Sequence, residues 1–132
     1  METRTDVDVR LLPLVATGGY ILDPTVDFDP READLFVRLL QRDALIAAEI
    51  NLAARQMHDL IRHRRLGRGP DPLWSAEMER LETSIDKLYT AKRKNLLALS
   101  GLLASVLRRR KRAARSMARA TAIFTTSQSA GE

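Results

Sequence analysis

Seven basic residues near the C-terminal end are the densest chemistry in the chain: Arg108, Arg109, Arg110, Lys111, Arg112, Arg115 and Arg119. On an α-helix, Arg108, Arg112, Arg115 and Arg119 repeat at four- and three-residue spacing and therefore share one face. Each guanidinium presents a forked set of donors that matches a phosphate, and each phosphate neutralised releases counterions. Such a stripe can follow a nucleic-acid backbone. Arg62, Arg64, Arg65 and Arg68 form a second basic cluster. Neither cluster carries a base-reading device: there is no recognition-helix motif, no aromatic interleaving and no zinc-finger spacing. Binding through these residues is expected to be independent of base sequence. The competing reading is a solvated charged face.

Other candidates for chemistry are sparse. Asp59 and His63 share a helix face, but two ligands fall short of the three or four that a metal centre uses. His58 and His63 are five residues apart and do not share a face. Gly18-Gly19 reads as a turn and not as a phosphate-cradling loop. No Ser/His/Asp constellation is recognisable, so no catalytic residue, no metal ligand set and no cofactor is expected. Three polar residues remain of interest, Asp43, Lys92 and Asn95, because they interrupt apolar stripes. They are expected to form a structural polar layer that fixes the register of two helices, with an acid–base pair as the weaker reading.

These residues need helices to position them. A first helix is expected from Pro30 to about Leu66. Asp29 caps it, Pro30 occupies the first helical position, and Glu32 completes a capping-box pattern. Its apolar seam runs Phe36, Leu39, Asp43, Ile46, Ile50, Ala53, Met57, Leu60. Gly67-Arg68-Gly69-Pro70 breaks the pattern, and Asp71-Pro72 restarts it with the same capping device. The second seam runs Met78, Leu81, Ile85, Leu88, Lys92, Asn95, Leu99, Leu102, Val106. An antiparallel fold about the break places Asp43 opposite Asn95 and within a turn of Lys92, and a buried Asp is tolerable there only if it is paired and hydrogen-bonded.

The fold class that follows is all-α: an antiparallel hairpin of two long helices over residues 30–124, including a basic helical C-terminal extension. Residues 1–29 form an extended acidic N-terminal arm, with a flexible leader as the other reading, and residues 125–132 a disordered tail. Within the arm, Val7–Leu11 alternates as a short strand would, Tyr20–Leu22 is a brief extended piece, and Asp23-Pro24 is a turn. Leu11, Leu12, Val15, Tyr20, Ile21 and Leu22 are available to dock on the hairpin or on a partner. Leu35, Leu40, Leu45, Leu96, Leu97, Leu103 and Leu107 lie off the two seams, and an apolar arc that wide is normally covered by more protein.

Charge is segregated along the chain. The net charge is +5, made of about −5 over residues 1–34, +4 over 35–107 and +6 over 108–132. A basic end attracts polyanions, and an acidic arm could cover that end on the same chain or on a neighbour. There is no Cys, which excludes disulfides and thiolate metal sites. The uncharged runs Leu11–Leu22 and Asn95–Leu107 fall short of the ~18–20 residues that span a bilayer. Acids ahead of the first run argue against a signal peptide, so a cytoplasmic location is expected. The function expected is a non-enzymatic helical subunit of a larger assembly that contacts nucleic-acid backbone. The alternatives are an oligomerisation or scaffold protein, or a peripheral membrane protein. Expected partners are a second copy or other helical subunits, together with nucleic acid; no small-molecule substrate is expected.

Overall fold

The computed structural model describes residues 8–65 and 72–130. The protein is all-α in character, with two long helices, α1 (Pro30–Arg65) and α2 (Pro72–Ala130). A small antiparallel hairpin of β1 (Val15–Thr17) and β2 (Tyr20–Leu22) precedes them. The start of α1 follows from its first residues. The Glu32 amide donates to Asp29 Oδ1 at 2.8 Å and the Asp29 amide donates to Glu32 Oε1 at 2.9 Å. Two donors that a helix start leaves without partners are thus satisfied reciprocally. The break at residues 67–70 and the Asp71 cap lie outside the described residues.

The expected stop at residue 124 is corrected: α2 continues to Ala130. After Gly101 no Gly or Pro occurs before Gly131, and the Thr121 and Thr125 hydroxyls donate to the carbonyls of Met117 and Thr121, both at 2.9 Å. Bonded back to the preceding turn, those side chains no longer offer the backbone a non-helical alternative.

Contacts divide the chain into two compact units. The first to be described is Arg38–Leu99. Here α1 and α2 run antiparallel, as two bonds four helical turns and more apart show: Asn95 Nδ2 donates to the Leu39 carbonyl at 2.9 Å, and Trp74 Nε1 to the Leu60 carbonyl at 2.7 Å. Leu39, Ile46, Ile50, Ala53 and Leu81 are buried, and Met57, Leu60, Met78, Ile85 and Leu88 are half-buried, so the two expected seams do face each other. Leu45, Leu52, Tyr89 and Leu97 remain exposed on the outer faces.

The expected pairing inside the polar layer is not what forms. Asn95, only 4% exposed, reaches a backbone carbonyl and not the Asp43 carboxylate. The Leu39 carbonyl already receives the helical amide of residue 43, so Asn95 does sit within a turn of Asp43. Yet Asp43 Oδ1 and Asn95 Oδ1 are both buried acceptors without a hydrogen-bond partner among the described residues, and Lys92 makes no ion pair with Asp43 there. The Asn95 amide has two N–H donors, and the bond it makes goes to the Leu39 carbonyl, so the layer is joined to α1 through the backbone and not through the Asp43 carboxylate.

The other unit joins the described residues up to Val37 with those from Ser100 onward. It buries Leu22, Pro24, Phe28, Ala33, Phe36 and Val106. Phe28 and Phe36 meet edge to face with ring centroids 5.3 Å apart, a favoured aromatic geometry. The β-turn between β1 and β2 uses Gly18 and Gly19 at φ of 53° and 86°, the pair of left-handed positions that a tight hairpin turn of type I′ demands. The expected strand over Val7–Leu11 is corrected: Val9–Leu11 is a 3-10 turn, because the Leu11 amide donates to the Asp8 carbonyl and the Arg10 amide to Asp8 Oδ1. An Asp that bonds the following amides competes with strand pairing. Of the arm's apolar residues, Leu22 docks fully while Leu11, Tyr20 and Ile21 stay exposed.

Two stability changes follow. Gly101 is an exposed glycine inside α2, and a Cβ there would meet nothing within 4 Å. Gly101→Ala is expected to stabilise the protein by about 0.5–1 kcal/mol, read from the urea midpoint at unchanged slope. Asn95→Leu removes an orphaned buried acceptor and leaves the Leu39 carbonyl with its helical partner. It is expected to stabilise by about 1 kcal/mol by the same assay; a loss of that size would show that the side-chain amide is a net stabiliser.

Candidate nucleic-acid interface

The basic stretch of α2 is divided by the arm. Three consecutive cations are engaged by residues that lie before α1 or in its first turn. Arg109 makes a two-pronged contact with the Glu32 carboxylate, one prong at 2.9 Å, and also donates to the Asp27 carbonyl. Arg110 donates to the Ile21 carbonyl and lies 3.6 Å from Asp27 Oδ2. The Lys111 ammonium sits over the Tyr20 ring, 4.9 Å from its centroid, a cation–π contact. The acidic arm therefore covers part of the basic end of its own chain.

Local chemistry shapes the arm for this role. The Asp23 carbonyl accepts the amides of Val26 and Asp27, and Asp23 Oδ1 accepts both the amide and the hydroxyl of Thr25. Those bonds, the hydroxyl's first, hold the Asp23 carboxyl below the usual range. Asp27 Oδ2 in turn accepts the Asp23 amide at 2.7 Å. The turn so closed leaves the Asp27 carbonyl and carboxylate facing Arg109 and Arg110. Glu32 and Asp27 are each only 14% exposed, so these ion pairs are less screened than ordinary surface pairs. The Asp29 carboxyl is also held low, chiefly by the Glu32 amide that donates to it, with the Arg109 charge contributing. Arg109 is pushed further toward its charged form by its bond to Glu32.

Arg108, Arg112, Arg115 and Arg119 are all exposed, and none has an ion pair or hydrogen bond among the described residues. They form the stripe that the spacing predicts. Arg109, counted with them on sequence grounds, is held by the arm instead. Arg62 is exposed near the end of α1. The side chains of Arg64 and Arg65, and Arg68 altogether, lie outside what the structure describes.

Sequence reasoning missed one further set. In Arg38–Leu99 a recess of about 330 Å³ is lined by Arg42 from α1 and by Lys87, Thr90, Lys94 and Asn95 from α2. Its three cations are exposed and unpaired among the described residues. Nothing in their spacing along the chain joins Arg42 to Lys87 and Lys94; only the helix register does. Among the described residues no three His, Cys, Asp or Glu side chains gather to hold a metal ion, and no helix is long and apolar enough to cross a membrane.

Compared with protein-family models, with curated proteins and with solved structures, the chain matches none of them.

The depressed Asp23 and Asp29 carboxyls give the fold an acid limit. A group whose pKa is lower in the folded state contributes stability above its unfolded value, about 4 for Asp, and loses it as pH falls through the folded value. The thermal midpoint is expected to drop as pH is lowered from about 5 toward 3. Asn caps a helix as well as Asp but does not titrate, so Asp29→Asn should keep the midpoint near neutral pH and flatten the acid-side fall.

Proposed function

We propose that this protein is a non-enzymatic helical subunit of a larger assembly and that it contacts nucleic-acid backbone, without reading bases, through its Arg-rich surfaces. The observation that carries the reading is the division of the basic stretch. The arm satisfies Arg109, Arg110 and Lys111 internally, while Arg108, Arg112, Arg115 and Arg119 stand on one exposed helix face with no partner among the described residues. Four guanidinium groups at helical spacing present forked donors along a line of about 16 Å, close to the spacing of several phosphates on one strand. The exposed cations of Arg42, Lys87 and Lys94, unpaired among the described residues, offer a second surface of the same chemistry.

A second reading, an oligomerisation or scaffold protein, is favoured by the large apolar side chains that α2 leaves exposed at Met117, Ile123 and Phe124. In that case the Arg stripe serves solubility and docking. A peripheral membrane role shares those residues and would show as co-sedimentation with anionic vesicles.

The two leading readings separate in one experiment. Duplex DNA binding through four phosphate contacts gives a slope of about −3.6 in log affinity against log salt, a roughly 150-fold loss between 50 and 200 mM. A variant with Arg108, Arg112, Arg115 and Arg119 all replaced by Glu is expected to lose that binding at unchanged solution mass. Wild-type protein that binds neither duplex nor single-stranded nucleic acid at 50 mM salt refutes the nucleic-acid reading, and a variant that loses its assembly instead supports the scaffold.

A further inference from the structure

The helix beyond the arm is uncovered on every side. Val106 is the last fully buried residue of α2, at 0% exposure, and every side chain from Arg112 to Thr125 is exposed. Its apolar residues are nonetheless in phase. From Val106 the positions at four- and three-residue steps are Arg110, Ala113, Met117, Ala120 and Phe124. The last four form a seam on the face opposite to Arg108, Arg112, Arg115 and Arg119, because steps of 100° per residue put the two sets about half a turn apart. Met117 and Phe124 are 72% and 63% exposed.

We infer that this seam is the self-association surface of the protein, and that its occupant is the same helix of a second copy running antiparallel. Two features of the sequence on this helix select that occupant. The first is shape. An antiparallel pair centred between Ala118 and Arg119 sets Phe124 against Ala113 of the second copy and Met117 against its Ala120. Each large side chain meets a small one, twice over, as a two-fold interface of one patch with itself requires. The second is charge. All seven cations of this region lie from Arg108 to Arg119, whereas Ala120 to Ala130 carry no charge at all. In the antiparallel arrangement every cation but Arg119, which falls at the centre beside Ala118, lies beside the uncharged half of the other helix. A parallel pair would stack Arg on Arg at every turn and align the two helix dipoles.

Clear of the arm, which holds Arg109 to Lys111, the overlap runs from Arg112 to Thr125, about 14 residues of each helix or ~21 Å, with only four seam positions per copy. That is small beside a standard stable interface, so the dimer is weak, with dissociation in the micromolar range. The Arg stripe points away from the seam in each copy and stays accessible. The inference is therefore independent of what that stripe binds.

The test uses the full chain. Sedimentation equilibrium over about 1–200 µM is expected to show a monomer–dimer equilibrium, with a midpoint inside that range. A Met117→Glu, Phe124→Glu double variant is expected to be monomeric throughout with an unchanged circular-dichroism spectrum, since both side chains are exposed in the monomer. Orientation is read with introduced thiols, which is clean because the chain has no Cys. Mixed Ala113→Cys and Phe124→Cys chains in a glutathione buffer should favour the mixed disulfide over either like pair. A wild-type chain monomeric at all concentrations overturns the inference, even where it binds anionic vesicles, and so does a dimer that survives the double variant. A preponderance of like-pair disulfides overturns the antiparallel orientation.

Discussion

One carboxylate, that of Glu32, ties three parts of its unit together. It accepts the Asp29 amide and so closes the box that starts α1; it also receives the Arg109 guanidinium from α2. The same guanidinium reaches the Asp27 carbonyl in the turn before α1. Helix start, helix partner and arm are thus set by one group at 14% exposure. A carboxylate so placed has given up much of its hydration and needs its donors, so removing Arg109 costs more than an average surface ion pair contributes. Phe28 and Phe36, on either side of the box, supply apolar contact at the same corner. The shielding is one-sided: Glu32 is 14% exposed and Arg109 49%.

The polar layer shows a different balance. Asn95 is held by one bond to a carbonyl that already has a partner, while two acceptor oxygens nearby have none. Such an arrangement contributes little to stability. It does tie one residue of α2 to one level of α1: a shift of one helical turn would break the bond to the Leu39 carbonyl. That is the register role a lone buried Asn plays in coiled coils, obtained here at some cost in stability.

Most of the architecture was legible because it rests on short-range signals. The box at Asp29 and Glu32, the glycine turn and the two seams are each encoded within a few residues. The seam residues Leu39, Ile46, Ile50, Leu81 and Val106 are buried where the period places them. What failed was local competition: Asp8 bonding its own following amides turned an expected strand into a 3-10 turn, and threonines bonded backward carried α2 past residue 124. Phe28 was passed over because it stands alone, with no periodic neighbours, between Asp27 and Asp29. The grip on Arg109 to Lys111 was legible only as a charge imbalance. Which cations the arm would take depended on the turn at Asp23, and that is a three-dimensional fact.

The arm's choice has a geometric reason. Consecutive helical residues point about 100° apart, so Arg109, Arg110 and Lys111 together span roughly 200° of the helix circumference. An arm that holds all three wraps that sector, using a carbonyl for Arg110, a carboxylate for Arg109 and a ring for Lys111. The sector left over is the one containing Arg108 and Arg112, and repeats of four and three residues keep Arg115 and Arg119 in it. Had the arm gripped residues at helical spacing instead, it would have neutralised the stripe and left a scattered set of cations exposed. Wrapping across the helix concentrates the free positive charge on a single line, and a line of charge is the form in which a helix can follow a polyanion.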